Sequence, residues 1–508
     1  MTRPPETIAA LLMFGADEAV AISAPGRLPL TYQALRSLVA EVAGLLTARG
    51  LTVGDRVAIV LDNGPEMAAA FLAIGSVAVA APLNPGYRAE EFEFYLNDLG
   101  ASLVVVAEGK VSAATEVADR LGIAVATLFP RTDRGAGEFD LVTSWRASGS
   151  VPPGKPTAND VALCLHTSGT TSRPKMVPLT HRNLCASASN IRESLGLTSD
   201  DRGLVIMPLF HIHGLIAALL APLVSGGEVV CTSGFNALKF FGWLNGAQPT
   251  WYTGVPTMHQ AILLRAGGNR EALARHRLRF IRSSSSSLPT RVMGELESMF
   301  GVPVIEAYGM TEAAHQMASN PLPPGRRKAG TVGVPAGPEL RIVDEQGTSV
   351  ALGEVGEITI RGSNVMAAYQ NNAAANESAF FGEWFRTGDQ GMMDGDGYLT
   401  ITGRLKEIIN RGGEKVSPRE VDEIMMEHPA VHQCVTFAMP HDLLGEEVAA
   451  AIVLKEGAEV KEHELREFAR RRLADFKIPR TFVLVAAIPV GPTGKLQRIG
   501  LAKQLGLG

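Results

Sequence analysis

The sequence predicts an α/β fold with a largely parallel sheet, a small β-rich subdomain and a separate α+β domain. The chain has 508 residues, more than a single hydrophobic core ordinarily holds, so we expect two or more domains. Its first two thirds alternate short apolar or β-branched runs with longer helical patterns, as in sheets whose strands are joined by helices. From about Pro321, short strands are separated by Gly, Pro and Asn, which indicates a β-rich subdomain over residues 321–405.

The individual elements follow from local residue patterns. Residues 66–75 are apolar on most faces, as in a buried helix, and residues 462–473 form a charged helix. Runs rich in apolar and β-branched residues predict strands at 56–61, 103–107, 202–207, 228–232, 279–283, 340–344, 357–361 and 448–454. A boundary near Arg404 to Lys406 separates an N-terminal domain, 1–405, from a C-terminal domain, 406–508, which is long enough to fold as a unit.

The bulk composition excludes several classes of protein. Hydrophobic residues make up 46% and charged residues 19% of the chain, as in a globular protein rather than a disordered one. With 47 basic and 52 acidic residues, the net charge of −5 gives no reason to expect nucleic acid or an anionic membrane surface as a partner. Four widely spaced cysteines, the absence of a signal-peptide pattern and the absence of a membrane span predict a cytoplasmic protein. The oligomeric state stays open between a monomer and a homodimer.

One loop is unusually rich in hydroxyl groups. Residues 166–178 read His-Thr-Ser-Gly-Thr-Thr-Ser-Arg-Pro-Lys-Met-Val-Pro. Flexible backbone, many N–H and O–H donors and one cation suit a segment that wraps a polyphosphate. The run is not a Walker A motif, because the spacing of glycines and lysine differs. Taken alone, the run is better explained as a Ser/Thr-rich surface loop.

Four further short segments follow this loop along the chain. They read Ala307-Tyr-Gly-Met-Thr-Glu312, Trp384-Phe-Arg-Thr-Gly-Asp389, Gly403-Arg404-Leu-Lys406 and Gly491-Pro-Thr-Gly-Lys495. Together with the loop they make the whole chain resemble the adenylate-forming acyl-CoA synthetases, although Ser172 and Met176 stand where those enzymes usually have glycine. The resemblance implies an N-terminal domain of two parallel-sheet α/β subdomains plus a small β-barrel subdomain, and a mobile C-terminal α+β domain.

The resemblance also implies a two-step ligase that uses ATP, Mg²⁺ and coenzyme A. A carboxylate attacks the α-phosphate of ATP to give an acyl-adenylate, and the thiol of CoA then displaces AMP. Lys495 and Thr311 would act at the reacting phosphate, and Glu312 would ligate the metal. The resemblance further implies that Tyr308 stacks on adenine, that Asp389 bonds to the ribose and that other residues contact the phosphates. The residues implied to hold the nucleotide are Thr167, Ser168, Gly169, Thr170, Thr171, Lys175, Tyr308, Gly309, Asp389 and Arg404.

The second step needs a different arrangement of the site, because a lysine over the adenylate would block the thiol. Related enzymes rotate the C-terminal domain between the two steps, and Lys406 matches their hinge position. Gly412 and Gly413 would then replace Lys495 and line the channel for pantetheine, since glycine allows close backbone approach.

Residues near the expected acid pocket are unusually polar. His211 and His213 are one residue apart, Arg282 precedes a run of five serines at 283–287, and His315 follows the Glu312 motif. Imidazoles, hydroxyls and a guanidinium suit a short acid with a second carboxylate, unless Arg282 pairs with a structural carboxylate of the protein. The combination resembles the oxalate–CoA ligases, which implies that His213, His315 and Ser284 bind the distal carboxylate.

Several alternatives stay open at this point. A malonate, medium-chain fatty acid or aryl acid CoA ligase would share the chemistry and differ in the pocket. A protein that delivers acyl groups to a carrier protein would share the first step. A catalytically inactive nucleotide-binding protein would need a damaged site, whereas Glu312, Asp389, Arg404 and Lys495 are all present.

Overall fold

A computed structural model describes residues 4–109, 112–146, 154–167, 174–490 and 496–507 of the chain. In this part the strands form four sheets, and the predicted α/β class is confirmed. The helices are α1 (Ile8–Leu11), α2 (Tyr32–Ala48), α3 (Pro65–Gly75), α4 (Ala89–Leu99), α5 (Ala113–Leu121), α6 (His181–Ser194), α7 (Ala221–Val224), α8 (Phe240–Ala247), α9 (Pro256–Ala266), α10 (Arg270–Arg275), α11 (Thr290–Phe300), α12 (Ala373–Glu377), α13 (Pro418–Met426), α14 (Glu462–Arg470) and α15 (Leu501–Gln504).

Each of the strands belongs to one of the four sheets. They are β1 (Val20–Ser23), β2 (Leu30–Thr31), β3 (Arg56–Val60), β4 (Val79–Pro82), β5 (Leu103–Ala107), β6 (Ala124–Pro130), β7 (Phe139–Thr143), β8 (Val161–Thr167), β9 (Lys175–Thr180), β10 (Arg202–Val205), β11 (Glu228–Cys231), β12 (Trp251–Gly254), β13 (Phe280–Ser283), β14 (Val304–Met310), β15 (His315–Ser319), β16 (Val334–Pro335), β17 (Glu339–Val343), β18 (Gly356–Arg361), β19 (Phe380–Phe381), β20 (Trp384–Met393), β21 (Leu399–Arg404), β22 (Ile409–Arg411), β23 (Glu414–Val416), β24 (Val431–His441), β25 (Gly445–Leu454) and β26 (Thr481–Leu484).

Two large sheets with parallel centres make up most of the N-terminal domain. One has the order β7-β6-β5-β3-β4-β8-β9, and the other β16-β15-β14-β13-β12-β10-β11-β1-β2. Helix α3 is buried almost along its whole length, as its apolar sequence predicts, and joins a core that includes side chains of both sheets. Because it has no polar face, such a helix is stable only between two layers. No helix among the described residues is long and apolar enough to cross a bilayer.

The third sheet is antiparallel and carries part of the candidate site. Strand β20 pairs with β18, β19 and β21, and β17 pairs with β18. Strand β21 ends at Arg404, and the fourth sheet, of order β23-β22-β25-β24 with β26 beside β25, begins at Ile409. We therefore propose that the domain boundary lies at residues 405–406.

The glycine-rich stretch after this boundary forms a tight hairpin turn between β22 and β23. Gly412 and Gly413 have φ angles of 60° and 97°, the pair of positive values that a two-residue type I′ turn needs. The backbone N–H of Gly412 donates to the carbonyl of Leu444 in the same domain at 2.9 Å. The turn is thus a fixed part of the C-terminal domain.

A small polar interface joins the two domains. Ser287 donates to Glu423 of α13 at 3.5 Å, and Gln433 donates to Gln260 at 3.0 Å. Glu306 of β14 is buried close to this interface and accepts a hydrogen bond from the backbone of Leu288. Burial raises the pKa of Glu306 to about 7, and the positive charge of Arg419 on α13 opposes that rise.

Candidate active site

The candidate site lies where parallel strands of the nine-stranded sheet end. Four neighbouring strands of this sheet run parallel to one another, namely β10, β12, β13 and β14. Their carboxyl ends therefore lie at the same edge of the sheet. Ligands of open α/β sheets bind at such edges, because loops that leave the strands converge there. Most of the polar residues singled out in the sequence lie at or after these strand ends or on strands β20 and β21 of the antiparallel sheet, whereas Thr167 and Lys175 lie on β8 and β9 of the seven-stranded sheet.

A buried carboxylate joins the two sheets on the nucleotide side. The Tyr308 hydroxyl donates to Oδ2 of Asp389 at 2.5 Å, and Nε of Arg404 donates to Oδ1 at 2.9 Å. Asp389 and Arg404 face each other across β20 and β21. Burial and the negative charge of Asp389 raise the pKa of Tyr308 well above its usual value, and the same charge raises that of Arg404. Each carboxylate oxygen has already accepted one bond, so a ribose would use the remaining lone pairs.

A cation and a carboxylate face each other across an aromatic ring on the phosphate side. Thr167 and Lys175 are opposite one another where β8 and β9 flank the phosphate loop. Nζ of Lys175 lies 4.4 Å from the ring centre of Tyr369, whose hydroxyl donates to Oε1 of Glu312 at 2.8 Å. Burial, followed by the positive charge of Lys406, lowers the pKa of Lys175, whereas burial raises the pKa of Glu312. Added phosphate would favour the charged lysine.

Some predicted residues cannot be placed. Ser168, Gly169, Thr170, Thr171 and Lys495 lie outside the described residues. Thr311 and Glu312 share a short 3₁₀ helix directly after β14. Gly309 lies so close to the next strand that a Cβ atom there would sit 1.9 Å from the carbonyl oxygen of His315. This contact explains why the position needs glycine.

A fully buried arginine forms the centre of the predicted acid pocket. Nη1 of Arg282 donates to Nε2 of His213 at 3.3 Å and to Nε2 of His315 at 3.1 Å. It also donates to Thr253 at 3.3 Å, and Nη2 donates to Oε1 of Gln316 at 3.3 Å. Among the described residues, no carboxylate lies within ion-pair distance of this guanidinium. Burial lowers its pKa to about 9, so it still carries its charge at neutral pH.

The two histidines stack on each other beside this arginine. Their ring centres are 4.6 Å apart, with 20° between the planes. A guanidinium only donates hydrogen bonds, so each Nε2 that faces Arg282 must accept, which places the ring proton on Nδ1. Nδ1 of His213 therefore donates to the Ser285 hydroxyl at 3.0 Å, while Thr253 lies 2.6 Å from its Nε2.

Two neighbouring serines have different surroundings. The Ser284 hydroxyl donates to the carbonyl of Ala307 at 2.9 Å, so its proton is already used. Ser285 contacts His213 instead, because its backbone has a φ of 73° that turns the side chain towards the pocket. Ser284 stays a prediction as a substrate residue, and Ser285 is a further candidate from the same serine run.

Unusual backbone conformations cluster around the pocket. Ser285, Ala314 and His315 have φ values of 73°, 45° and 97°, and they are three of the five non-glycine residues with positive φ in the described part of the chain. Such conformations cost roughly 1–3 kcal/mol each and concentrate at functional sites. They turn His315 back towards Arg282 immediately after the Glu312 turn. The acid pocket and the phosphate side therefore share one short segment.

Not every predicted residue is part of this cluster. His211 is half-buried, and its Nδ1 accepts from the backbone N–H of His213, which begins a π-helix at His213–Leu220. Lys406 is exposed directly after β21. No contact recorded for the described residues joins the Gly412 turn to the nucleotide side. Sequence reasoning did not single out Tyr369, Thr253, Ser285 or Gln316, although Ser285 belongs to the serine run 283–287 and Gln316 directly follows His315.

Comparisons with known proteins agree over almost the whole chain. A family model described as AMP-binding enzyme matches residues 14–370, and one described as AMP-binding enzyme C-terminal domain matches residues 420–495. The chain is 46% identical to the probable CoA ligase CCL9 of Humulus lupulus, over 94% of this chain and 92% of that protein. It is 44% identical to the oxalate–CoA ligase of Arabidopsis thaliana, over 94% of each chain. The ATP-bound crystal structure of MatB from Rhodopseudomonas palustris matches with a TM-score of 0.88 and 30% identity, over 98% of this chain and 99% of that one.

Proposed function

The chain belongs to the AMP-binding enzyme family as an acid–CoA ligase, and we propose that its acid substrate is oxalate. The observation that carries the proposal is the fully buried Arg282, whose charge is balanced by no carboxylate among the described residues. A buried charge is costly unless it is paired, so a site that keeps one is suited to an anionic ligand. The carboxylate that reacts with ATP must lie at the α-phosphate, so Arg282 is available to bind a second carboxylate of the substrate.

The surroundings of Arg282 favour a short diacid over an alkyl or aryl acid. His213, His315, Ser285 and Thr253 bring ring nitrogens and hydroxyl groups within hydrogen-bond distance of one another. An alkyl chain placed there would exclude water without bringing an acceptor or a negative charge to Arg282, and a buried charge without an opposite charge is costly. A second carboxylate accepts hydrogen bonds from the guanidinium and from an Nδ1–H or a hydroxyl. The similarity to an oxalate–CoA ligase points in the same direction.

In the first step of the proposed reaction, the reacting carboxylate attacks the α-phosphorus of ATP and diphosphate leaves. Both reactants are anionic, so cations must offset the repulsion as charge moves. We assign this task to Lys175 on the phosphate side and to Lys495, which would bridge the attacking oxygen and the α-phosphate. Thr311 would donate to the α-phosphate, and Asp389 would hold the ribose with Arg404 beside it.

The residues around Glu312 fit a magnesium ion. Mg²⁺ in nucleotide enzymes takes one or two protein carboxylates and completes its shell with phosphate oxygens and water. Glu312 supplies one buried carboxylate whose pKa is raised by burial, so a nearby cation would favour its charged form. No group of three or more acidic, histidine or cysteine ligands occurs among the described residues, which agrees with such a shared site. The ion would neutralise phosphate charge, while Tyr369 orients Glu312 through its hydroxyl.

In the second step the CoA thiolate attacks the acyl carbon and AMP leaves. We propose that the C-terminal domain rotates about Lys406, removes Lys495 and brings the Gly412–Gly413 turn towards the acyl group. The small polar interface between the domains agrees with such a movement, because a few solvent-accessible hydrogen bonds are easily exchanged. The rigid hairpin turn would enter as a preformed unit.

Measurement of AMP release with ATP, Mg²⁺, CoA and a panel of acids tests the proposal. Oxalate, malonate, acetate, octanoate and benzoate differ in their second charge and in their apolar surface. We expect oxalate to give the highest kcat/KM, by at least about 100-fold over acetate. Acetate has no second carboxylate to pair with Arg282, and the other acids of the panel are longer than oxalate. Turnover with octanoate or benzoate alone would refute oxalate as the substrate and would leave the ligase chemistry intact.

A further inference from the structure

Gln316 holds the arginine of the acid pocket in place without touching the reacting atoms. Its Oε1 accepts from Nη2 of Arg282 at 3.3 Å, and its Nε2 donates to Ser194 at 2.9 Å and to the carbonyl of Ala336 at 3.2 Å. A carbonyl only accepts, so Nε2 must face Ala336 and the amide oxygen must face Arg282. Gln316 is fully buried, and its backbone N–H is bonded to Ser187. The amide has one orientation.

The chemical nature of this side chain decides how much charge the pocket keeps. A glutamate in the same place would bind the guanidinium more strongly, since hydrogen bonds between two charged groups are about twice as strong as neutral ones. It would also cancel the positive charge. The amide orients the guanidinium equally well and leaves the charge uncompensated, because it is polar and neutral. Among the described residues, the other groups that contact Arg282 are the two imidazoles and the Thr253 hydroxyl, which are also uncharged with Nε2 as acceptor.

We propose that Gln316 is the residue that makes the enzyme selective for an acid with a second carboxylate. It acts as a positioning residue: it fixes the direction of the Arg282 fork and reserves its charge for the substrate. The inference rests on the proposed function and extends it, since it places the origin of diacid selectivity one side chain behind the pocket wall. The proposal predicts that replacement of the amide nitrogen by oxygen, in Gln316→Glu, removes the preference for an acid with a second carboxylate.

Two variants of equal size separate charge from packing. Gln316→Glu and Gln316→Met both lose the donor to Ser194 and Ala336, but only the first brings a negative charge to Arg282. We expect Gln316→Glu to lower kcat/KM for oxalate about 100-fold, mainly through KM, and to change kcat/KM for acetate by less than about threefold. Gln316→Met keeps the charge, so it should lower kcat/KM for oxalate only about 5- to 10-fold, the effect of one lost hydrogen bond.

ATP–diphosphate exchange measured with oxalate and acetate, together with the KM for ATP and the melting temperature of each variant, tests the inference. The expected result is an oxalate-to-acetate ratio that falls about 10 times further in Gln316→Glu than in Gln316→Met, with the KM for ATP unchanged in both. A ratio that is retained in Gln316→Glu, or lost equally in both variants, would overturn the assignment while the oxalate function stands. If Gln316→Glu does not fold, Gln316→Met decides, because an unchanged KM for oxalate in that variant contradicts a positioning role. A wild-type enzyme without oxalate turnover would overturn the proposed function and this inference together.

Discussion

Replacement of Arg282 by methionine should weaken catalysis with oxalate selectively and should not stabilise the fold. Methionine is unbranched and flexible, so it fills much of the same space without charge. A cation about 4 Å from the distal carboxylate contributes about 4 kcal/mol at an effective dielectric constant of 20. Its loss corresponds to a roughly 1,000-fold fall in kcat/KM for oxalate. Acetate lacks the second carboxylate, so its kcat/KM should change by less than about threefold.

Desolvation of the same group also affects stability. Burial lowers the pKa of Arg282 to about 9, and a shift of this size corresponds to about 5 kcal/mol against the charged folded state. Because the folded pKa is the lower one, this penalty acts fully at any pH below 9 and fades only at more alkaline pH. Methionine removes the penalty, but it takes the donor away from the acceptors of four hydrogen bonds of 3.1–3.3 Å, at about 1–3 kcal/mol for each buried acceptor left unpaired. The variant should therefore be no more stable than the wild type and lose as much as about 5 kcal/mol in free energy of unfolding.

ATP–diphosphate exchange and urea unfolding of the ligand-free protein measure the two effects. Arg279→Met is a matched control on the same segment. Arg279 is partly exposed and bonds to the buried Asp201 at 2.5 and 2.6 Å. Its loss should therefore lower stability by about 1–2 kcal/mol and leave selectivity unchanged. If Arg282→Met lowers kcat/KM for oxalate and acetate by the same factor, Arg282 is a structural cation and the reasoning is refuted.

Three further predictions address the neighbouring groups. His315→Ala should raise the KM for oxalate at least about 10-fold more than that for acetate, since one polar partner of the second carboxylate is lost; equal effects in steady-state kinetics would contradict its role. Tyr369→Phe keeps the ring beside Lys175 but removes the hydrogen bond to Glu312, so kcat for diphosphate exchange should fall about 10-fold with an unchanged KM for oxalate. An effect on the KM for oxalate alone would place Tyr369 in the acid pocket. Glu306 has a pKa raised from 4.5 to about 7, so it stabilises the fold below pH 4.5, and about 3 kcal/mol of this stability is lost as the pH rises through 7. Urea unfolding at pH 5 and pH 8 should show this loss in the wild type and not in Glu306→Gln, and parallel losses in both proteins would assign the pH dependence to other groups.

Much of the fold could be predicted because it depends on local patterns. The strand predicted at 103–107 matches β5, and those at 56–61, 228–232 and 357–361 differ from β3, β11 and β18 by a residue at one end. These runs are apolar, and the turn residues beside them limit their length. The predicted helix at 462–473 is longer than α14, which ends at Arg470. Three arginines follow one another at 470–472. Because each of them is a good helix former, the sequence does not show at which one the helix ends.

The residues of the candidate site were predictable where a motif fixes the local geometry. Tyr308, Asp389 and Arg404 come from three separate segments, and the structure brings their side chains into direct contact. The contacts of the acid pocket could not be predicted in the same way. Whether Ser284 or Ser285 meets a histidine depends on the sign of one φ angle within a run of identical residues.

Long-range partners were the least predictable part. Tyr369 lies far along the chain from both Lys175 and Glu312, and nothing in its local sequence distinguishes it from an ordinary buried tyrosine. Its contacts become visible only in the folded structure, where the ring lies beside Nζ of Lys175 and the hydroxyl bonds to Glu312. Likewise, the neutral partner of Arg282 could not be inferred from spacing, since a carboxylate at many positions would have been equally consistent with the sequence.

The positive φ angles at Ser285, Ala314 and His315 decide how the enzyme could be redesigned for other acids. Branched or bulky side chains are poorly tolerated on such backbone, so these three positions offer few substitutions. Thr253 and Arg282 lie instead on regular strands, where side-chain size and polarity can vary without a change of main-chain shape. A library that aims at new substrates should therefore vary the strand positions and keep the turn positions constant.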